Sequence, residues 1–451
     1  MKRQKNLLLL FALLASLMTY SQQGWDLAKE IEKNIIPPTF LDKDYCITDF
    51  GAKEGGVIDA REAINRAIFE CSFNGGGRVI VPPGKWFVKG SIFFKSNVNL
   101  HLKEGSELIF SYDEKDYLPA VLTRWEGTEL FNYSPLVYAY SVSNIALTGK
   151  GTLNGQGSKN FATWRPSQRA DQLELRRMGR EGVPVYQRVF GDGHRLRPQF
   201  VNFMNSNNVL IEDVNIIDAT FWVIHLVNCE NVTVRGVTMY SFNHNSDGVD
   251  PESSRNVLIE NCHFRTGDDA IAIKSGRDQD GWRLGQPTEN VIIRNSIFET
   301  QANGVCIGSE IGGGVRNIFV ENIKMPNTNS AIYFKSNLDR GGYVENVWIR
   351  NIEMDTINNV AIRFEPDYKS ESQEQYPTIF RNITIENVVC HWAKRGIDMQ
   401  GFAGLPLQNI TLRNIDIQSA DIPFVIANAE EVTFENVRIN GEEIILDEQF
   451  K

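Results

Sequence analysis

The chain has 451 residues, a formal net charge of −10, 42% hydrophobic residues and six cysteines. That acidic balance excludes general nucleic-acid binding, which needs clustered Lys and Arg to neutralise phosphates. Cys46, Cys71, Cys229, Cys262, Cys306 and Cys390 form no CxxC pair, so a zinc site is excluded. Six cysteines in so long a chain make no disulfide scaffold, and they read as small core residues.

The chain opens with Lys2, Arg3 and Lys5, then an apolar run from Leu7 to Leu17, then Thr19, Tyr20 and Ser21. This is the order of a secretory signal peptide, and the run is too short for a membrane span. The expectation is cleavage after Ser21, leaving 22–451 as a single exported domain, periplasmic or secreted. No cysteine follows the run closely, so a lipid anchor is not expected. No other long apolar stretch occurs, so neither is a membrane span. Removal of residues 1–21 takes away Lys2, Arg3, Lys5 and no acid, moving the charge from −10 to about −13. An acidic protein repels an acidic polysaccharide at long range, so a polyuronate substrate would require basic residues concentrated at the cleft.

From Asp59 to Cys71 the spacing of Ala60, Ile64, Ala67 and Ile68 predicts an amphipathic helix with Asp59 as its N-cap. Gly75-Gly-Gly77 then turns the chain into Val79-Ile-Val81, so this helix would cover the open end of the first coils. The segment 157–198 carries eight arginines (165, 169, 176, 177, 180, 188, 195 and 197) against four acids, with a helical stretch over Gln168–Met178. It reads either as a solvated excursion or as a basic flap over an anionic substrate.

A motif then recurs: Asn, an alternating apolar stretch, and Asn, Asp or Gly five positions later. It starts at Asn208, Asn231, Asn256, Asn290, Asn317, Asn346, Asn382 and Asn409, with an earlier copy at Asn144. A motif repeating every twenty to forty residues signals a solenoid. Val257 and Ile259 alternate with Leu258 and Glu260, which reads as a strand with the latter pair exposed. The closing Asn suits a left-handed backbone corner. The expected fold is an all-β parallel β-helix with an N-terminal capping helix.

Three aspartates stand out on this frame. Asp247 lies in Asn245-Ser-Asp-Gly-Val-Asp250; Asp268 and Asp269 lie in Thr266-Gly-Asp-Asp-Ala270. Their separation is close to one coil, so they should share an edge. Three clustered carboxylates cannot all ionise cheaply, which supplies the protonated and charged pair that glycoside hydrolysis needs. Calcium binding or simple Asx turns is the competing reading.

Asn245-Ser-Asp247, Gly267-Asp-Asp269, Ala272-Ile-Lys-Ser-Gly276, Phe50-Gly-Ala52, Ile307-Gly-Ser-Glu310 and Lys335 before Arg340-Gly-Gly342 together resemble the polygalacturonases, glycoside hydrolase family 28. The resemblance implies a right-handed parallel β-helix and an inverting, metal-independent hydrolase without cofactor, acting on α-galacturonosyl linkages of pectin. It implies Asp268 as general acid, with Asp247 and Asp269 holding and deprotonating water. Asn245 belongs to the same motif. Two departures stand out. Gln301-Ala-Asn303-Gly-Val305 lacks the family's Gly-His-Gly, putting Ala302 or Asn303 where the histidine would be. Tyr333-Phe-Lys335 keeps the family's lysine and loses its arginine. Tyrosine cannot replace an arginine fork on a carboxylate. The leaving-side sugar would then be uncharged, as rhamnose is in rhamnogalacturonan, unless Arg277, Arg340 or the flap arginines substitute.

Lys274 either faces the cleft or the solvent. Tyr368 is either a cleft tyrosine or an ordinary loop residue. Trp125, Trp164 and Trp282 are packing residues or sugar platforms. His225 and His244 have no partner at ligand spacing and read as structural. A calcium-dependent pectate lyase and a non-catalytic pectin-binding solenoid are the readings from other classes. A monomer is expected.

Overall fold

The repeats place an apolar residue at every second position, and each such residue meets its counterpart one coil away. The computed structural model describes residues 22, 24–369 and 375–450. The expected signal peptide over 1–21 lies outside the described residues. Parallel strands stack in three faces. On the first, Val79, Leu100, Leu147, Ile211, Val234, Ile259, Ile293 and Val320 are register partners in sequence along the stack. On the second, Trp86, Leu108, Leu153, Ile216, Met239, Phe264 and Phe298 align. On the third, Val137, Val201, Ile224, Val249, Ile271, Val305 and Ile332 align. All of these point inward and form one core. The fold is the right-handed parallel β-helix that the repeat leads one to expect.

The corners are asparagines. The closing Asn of the motif is left-handed as expected, at φ 55° for Asn261 and 57° for Asn322. The opening Asn is left-handed too, which alternation alone does not reveal. Asn256, Asn290 and Asn317 have φ 56°, 58° and 56°. Their side chains form a ladder in which each Nδ2 donates to the Oδ1 one coil before, at 3.2, 3.0 and 3.0 Å. Asparagine thus meets two demands, a positive φ and a lateral hydrogen bond. Asn317→Gly should keep the turn and lose the rung, at about 1 kcal/mol. Asn317→Ala should lose both, at about 2 kcal/mol. Urea denaturation of both variants checks the order; equal losses would remove the ladder from the account.

The capping helix spans Arg61–Phe73 and buries Ala63, Ile64, Ala67, Ile68 and Cys71. Its N-cap is Ala60 rather than Asp59. Asp59 stands one residue earlier, and its Oδ1 accepts from both Arg61 N and Lys89 N at 2.9 Å, tying the helix start to the end of strand Gly84–Val88. Five cysteines are buried, as their apolar positions suggest, and Cys46 is partly exposed; all six are free thiols.

The expected exposure of Leu258 and Glu260 is overturned as well. Leu258 is 6% exposed rather than on the surface. A helix over 24–33 lies across the first face, and its Trp25, Ala28 and Ile31, with Ile35 just beyond, cover Leu258, Ile292, Phe319 and Trp348. Glu32 Oε1 anchors it through Arg294 Nη2 at 2.6 Å, 262 residues away. Glu260 is buried as well, paired with Arg294 Nη2 at 2.8 Å.

Among the described residues no helix is long and apolar enough to cross a membrane.

Candidate active site

The loops 242–248 and 267–270 precede strands of the third face on adjacent coils. Gly248 N donates to Asp269 O at 2.9 Å, which locks the two loops in step. This brings Asp247, Asp268 and Asp269 together with one carboxylate oxygen of each within 4.8 Å of the others. Asp247 and Asp269 are buried, while Asp268 is partly exposed.

Each aspartate has its own partners. Asn245 Nδ2 donates to Asp268 Oδ2 at 3.2 Å, so Asn245 is the neighbour of the acid. Its own Oδ1 accepts from Arg197 Nη2 at 2.6 Å. Arg197 is fully buried, and burial pushes its pKa down to about 10. Asn303, standing where a histidine was expected, donates its backbone N–H to Asp269 Oδ1 at 3.2 Å and its side-chain amide to the same oxygen. Lys335 Nζ donates to Asp269 Oδ2 at 3.1 Å. Lys274 faces the cleft rather than the solvent, buried against the Trp222 ring at 4.5 Å from its centroid. Its ammonium lies 3.8 Å from Asp247, 3.5 Å from Asp250 and 3.3 Å from Glu310.

Burial, then Asp269, pushes Asp268 up to about 6. Burial, then Asp250 and Asp268, raises Asp247 well above the usual carboxylate range. Asp250 is raised by burial and Asp269 against the pull of Lys274. Burial opposes charge on Lys274, but Glu310, Asp250 and Asp247 outweigh it and raise its pKa. Burial likewise opposes Glu310, and Lys274 with Arg277 holds it well below its ordinary value.

The trio lines a cavity of 560 Å³. Its far wall is the basic segment: Arg165, Gln168 and, from helix Arg169–Arg180, Arg169, Gln172 and Arg176. Glu126, at the turn of the hairpin Val121–Trp125/Thr128–Asn132, accepts from Arg176 Nη2 at 2.7 Å and holds the helix over the site. The excursion is thus a wall over the aspartates rather than a solvated loop. Tyr368 and Lys369 close the other side.

Arg277 and Arg340 reach the cavity floor but are buried. Arg277 Nη2 lies 2.5 Å from Glu310 Oε1, and Arg340 Nη1 lies 2.5 Å from Asp278 Oδ1. Tyr333 is outside the cavity and donates its hydroxyl to Glu365 Oε2. His225 is buried with Nε2 2.7 Å from Glu252 Oε2. Exposed His244 lends its carbonyl to Arg197 Nη1 at 2.6 Å. Trp125 and Trp164 are buried packing residues, and Trp282 donates to Arg340 O at 2.7 Å. The indole that does line the cavity is Trp222. Nothing in its local sequence marks it. Asp250 and Arg197 are likewise legible only once the coils are stacked.

The sequence profile of glycosyl hydrolases family 28 matches residues 119–439. The chain belongs to this family. Residues 46–101 match a second profile, the rhamnogalacturonase A/epimerase, pectate lyase-like family. A hyperthermoactive exopolygalacturonase from Thermotoga maritima superimposes with a TM-score of 0.84 at 38% identity, over 92% of this chain and 97% of that one. A probable polygalacturonase of Vitis vinifera is 27% identical over 86% of this chain and 77% of its own length. An exo-poly-α-D-galacturonosidase of Dickeya chrysanthemi is 28% identical over 63% of this chain and 50% of its own. As a family 28 member the protein is a polygalacturonase-like glycoside hydrolase.

Proposed function

We propose that the protein removes galacturonate from the ends of galacturonan chains. The observation that supports this most is the basic wall. In a chain of net charge −10, exposed Arg165 and Arg169 converge with Arg176 over the carboxylate trio and enclose a cavity suited to a chain end. Arginine forks suit a uronate carboxylate. The exo-acting relatives from Thermotoga maritima and Dickeya chrysanthemi agree with this reading.

In this reading Asp268, the partly exposed member, pushed up to about 6, gives its proton to the leaving oxygen. Water attacks the anomeric carbon from the other side and passes its proton to Asp269, which Lys335 and Asn303 hold in place. Asp247 orients that water. One oxygen of each carboxylate lies within 4.8 Å of the others, which leaves less room between them than the ~6.5–9.5 Å separation of carboxyl groups typical of inverting pairs. Inversion therefore requires water beside the trio, on Asp247 and Asp269, rather than between acid and base. Proton NMR of the first product decides this: the β-anomer is expected, and an α-anomer would make one carboxylate a nucleophile.

Activity should survive a chelator. A cation among the aspartates would have to sit beside the ammoniums of Lys335 and Lys274, at 3.1 and 3.8 Å from the same carboxylates. Loss on chelation, or an unsaturated product, would point to a lyase. Incubation with homogalacturonan should release monogalacturonate from the start of the reaction. A ladder of oligomers would overturn exo action, and cleavage confined to galacturonosyl-rhamnose substrates would move the specificity to rhamnogalacturonan. We place the protein as a monomer outside the cytoplasm, with residues 1–21 as its export signal.

A further inference from the structure

Beyond Lys335 the third face continues past the cavity. Its outward positions there are Cys306, Tyr333, Arg363 and Asp398, direct register partners on successive coils. The alternating residues Ile332, Phe334, Ile362 and Phe364 are buried inside. Cys306, Tyr333 and Asp398 are buried, so of this row Arg363 alone offers a partly exposed side chain to a chain leaving the cavity.

The cations nearer the cut are already engaged. Lys335 serves Asp269, while Arg277 and Arg340 are buried against Glu310 and Asp278. Arg363 is different. Its guanidinium stacks 5.2 Å from the centre of the Tyr333 ring, and its side chain is 24% exposed. Thus the cation that position 333 lacks is supplied by its register partner one coil further on. The fork is only partly used: Nη2 donates to Glu365 Oε1 at 2.8 Å, while Nε finds no hydrogen-bond partner. The second nearby carboxylate, Asp398, stands 3.9 Å from Nε and is taken up by Arg395 Nη1 at 3.1 Å and Gln400 Nε2 at 2.7 Å.

We infer that Arg363 determines specificity by binding the carboxylate of a uronate on the leaving side, with Glu365 as the internal anion that this carboxylate displaces. The inference rests on the protein being a galacturonan hydrolase. A uronate offers the fork a bidentate partner that a neutral sugar cannot. Glu365 tunes the exchange. It faces the Tyr333 hydroxyl, Arg363, Asp398, Asp367 and Lys369, and burial, then Asp398 and Asp367, pushes it up to about 7. Below that pH it is neutral and competes weakly; above it, its charge both occupies Arg363 and repels the incoming carboxylate. Discrimination for uronate should therefore fall as pH rises through about 7.

The test compares kcat/KM for digalacturonate with that for a galacturonosyl-rhamnose disaccharide and an aryl α-galacturonide, using wild type, Arg363→Gln, Arg363→Lys and Glu365→Gln. Arg363→Gln should lose about ten- to hundredfold on digalacturonate and leave the other two substrates unchanged. Arg363→Lys should recover part of the loss, and Glu365→Gln should flatten the pH dependence of the preference. Equal losses on all three substrates would show a structural role, and no loss on digalacturonate would remove Arg363 from recognition; either overturns the inference while leaving the hydrolase intact. A wild-type protein inactive on every galacturonide would instead overturn the function beneath it.

Discussion

Asp268→Asn should lower kcat on galacturonan by about 10³-fold or more, with KM little changed. Asparagine fills the same space but has no acidic proton for the leaving oxygen. The protein should still fold, because the substitution removes a partly buried charge that desolvation and Asp269 already disfavour. The pH dependence carries the same argument. The acid works only while protonated, so wild-type activity should be present below about 6 and decline as pH rises through that value. Residual activity of the variant should lack that limb. Steady-state rates across pH, beside a urea transition for each protein, check both points. A variant retaining a tenth of wild-type activity would remove Asp268 as the proton donor.

Lys274→Met should be the most damaging single change to stability, at about 3–5 kcal/mol near neutral pH. The lysine is the ammonium that Asp247, Asp250 and Glu310 share, and methionine leaves three buried carboxylates short of a counter-charge. Both oxygens of Asp250 and Oδ1 of Asp247 already lack hydrogen-bond partners. The sign with pH comes from linkage. Asp247 and Asp250 have folded-state pKa values raised above the unfolded ones, so stability associated with them is present at low pH and lost as pH rises. Removing Lys274 raises them further. The deficit should therefore shrink on acidification, though not vanish, since Glu310 is held ionised with Arg277 as well. Paired urea transitions at neutral and mildly acidic pH measure it; a pH-independent deficit would mean that lost packing against Trp222, not charge, is the cause.

Local signals make the frame readable from the residues alone. The asparagine motif, the alternation between its ends and the coil-length interval from Asp247 to Asp268 point to the solenoid and to the edge carrying the trio. The features that stay hidden depend on which coils touch. Leu258 looks solvent-facing from its own strand and is buried by a helix from the other end of the chain. Nothing in the local sequence shows that Asn245 and Asn303 hold Asp268 and Asp269. Arg197, read as one of eight flap cations, is the buried support of Asn245. Arg363 sits in a stretch without a motif and gains its meaning from register with Tyr333.

The helix over 24–33 has a temporal side as well. It is made before the surface it covers, from Leu258 to Trp348, which exists only after the middle coils have stacked. Its ion pair with Arg294 closes a loop of 262 residues, a contact whose entropic cost makes it late in folding. Until then Trp25, Ala28 and Ile31 face water, as does an apolar strip of Leu258, Ile292, Phe319 and Trp348 on the sheet. Residues made before the coils they cover are therefore among the last to find their place, and their docking marks the moment at which the solenoid no longer presents that strip to other chains.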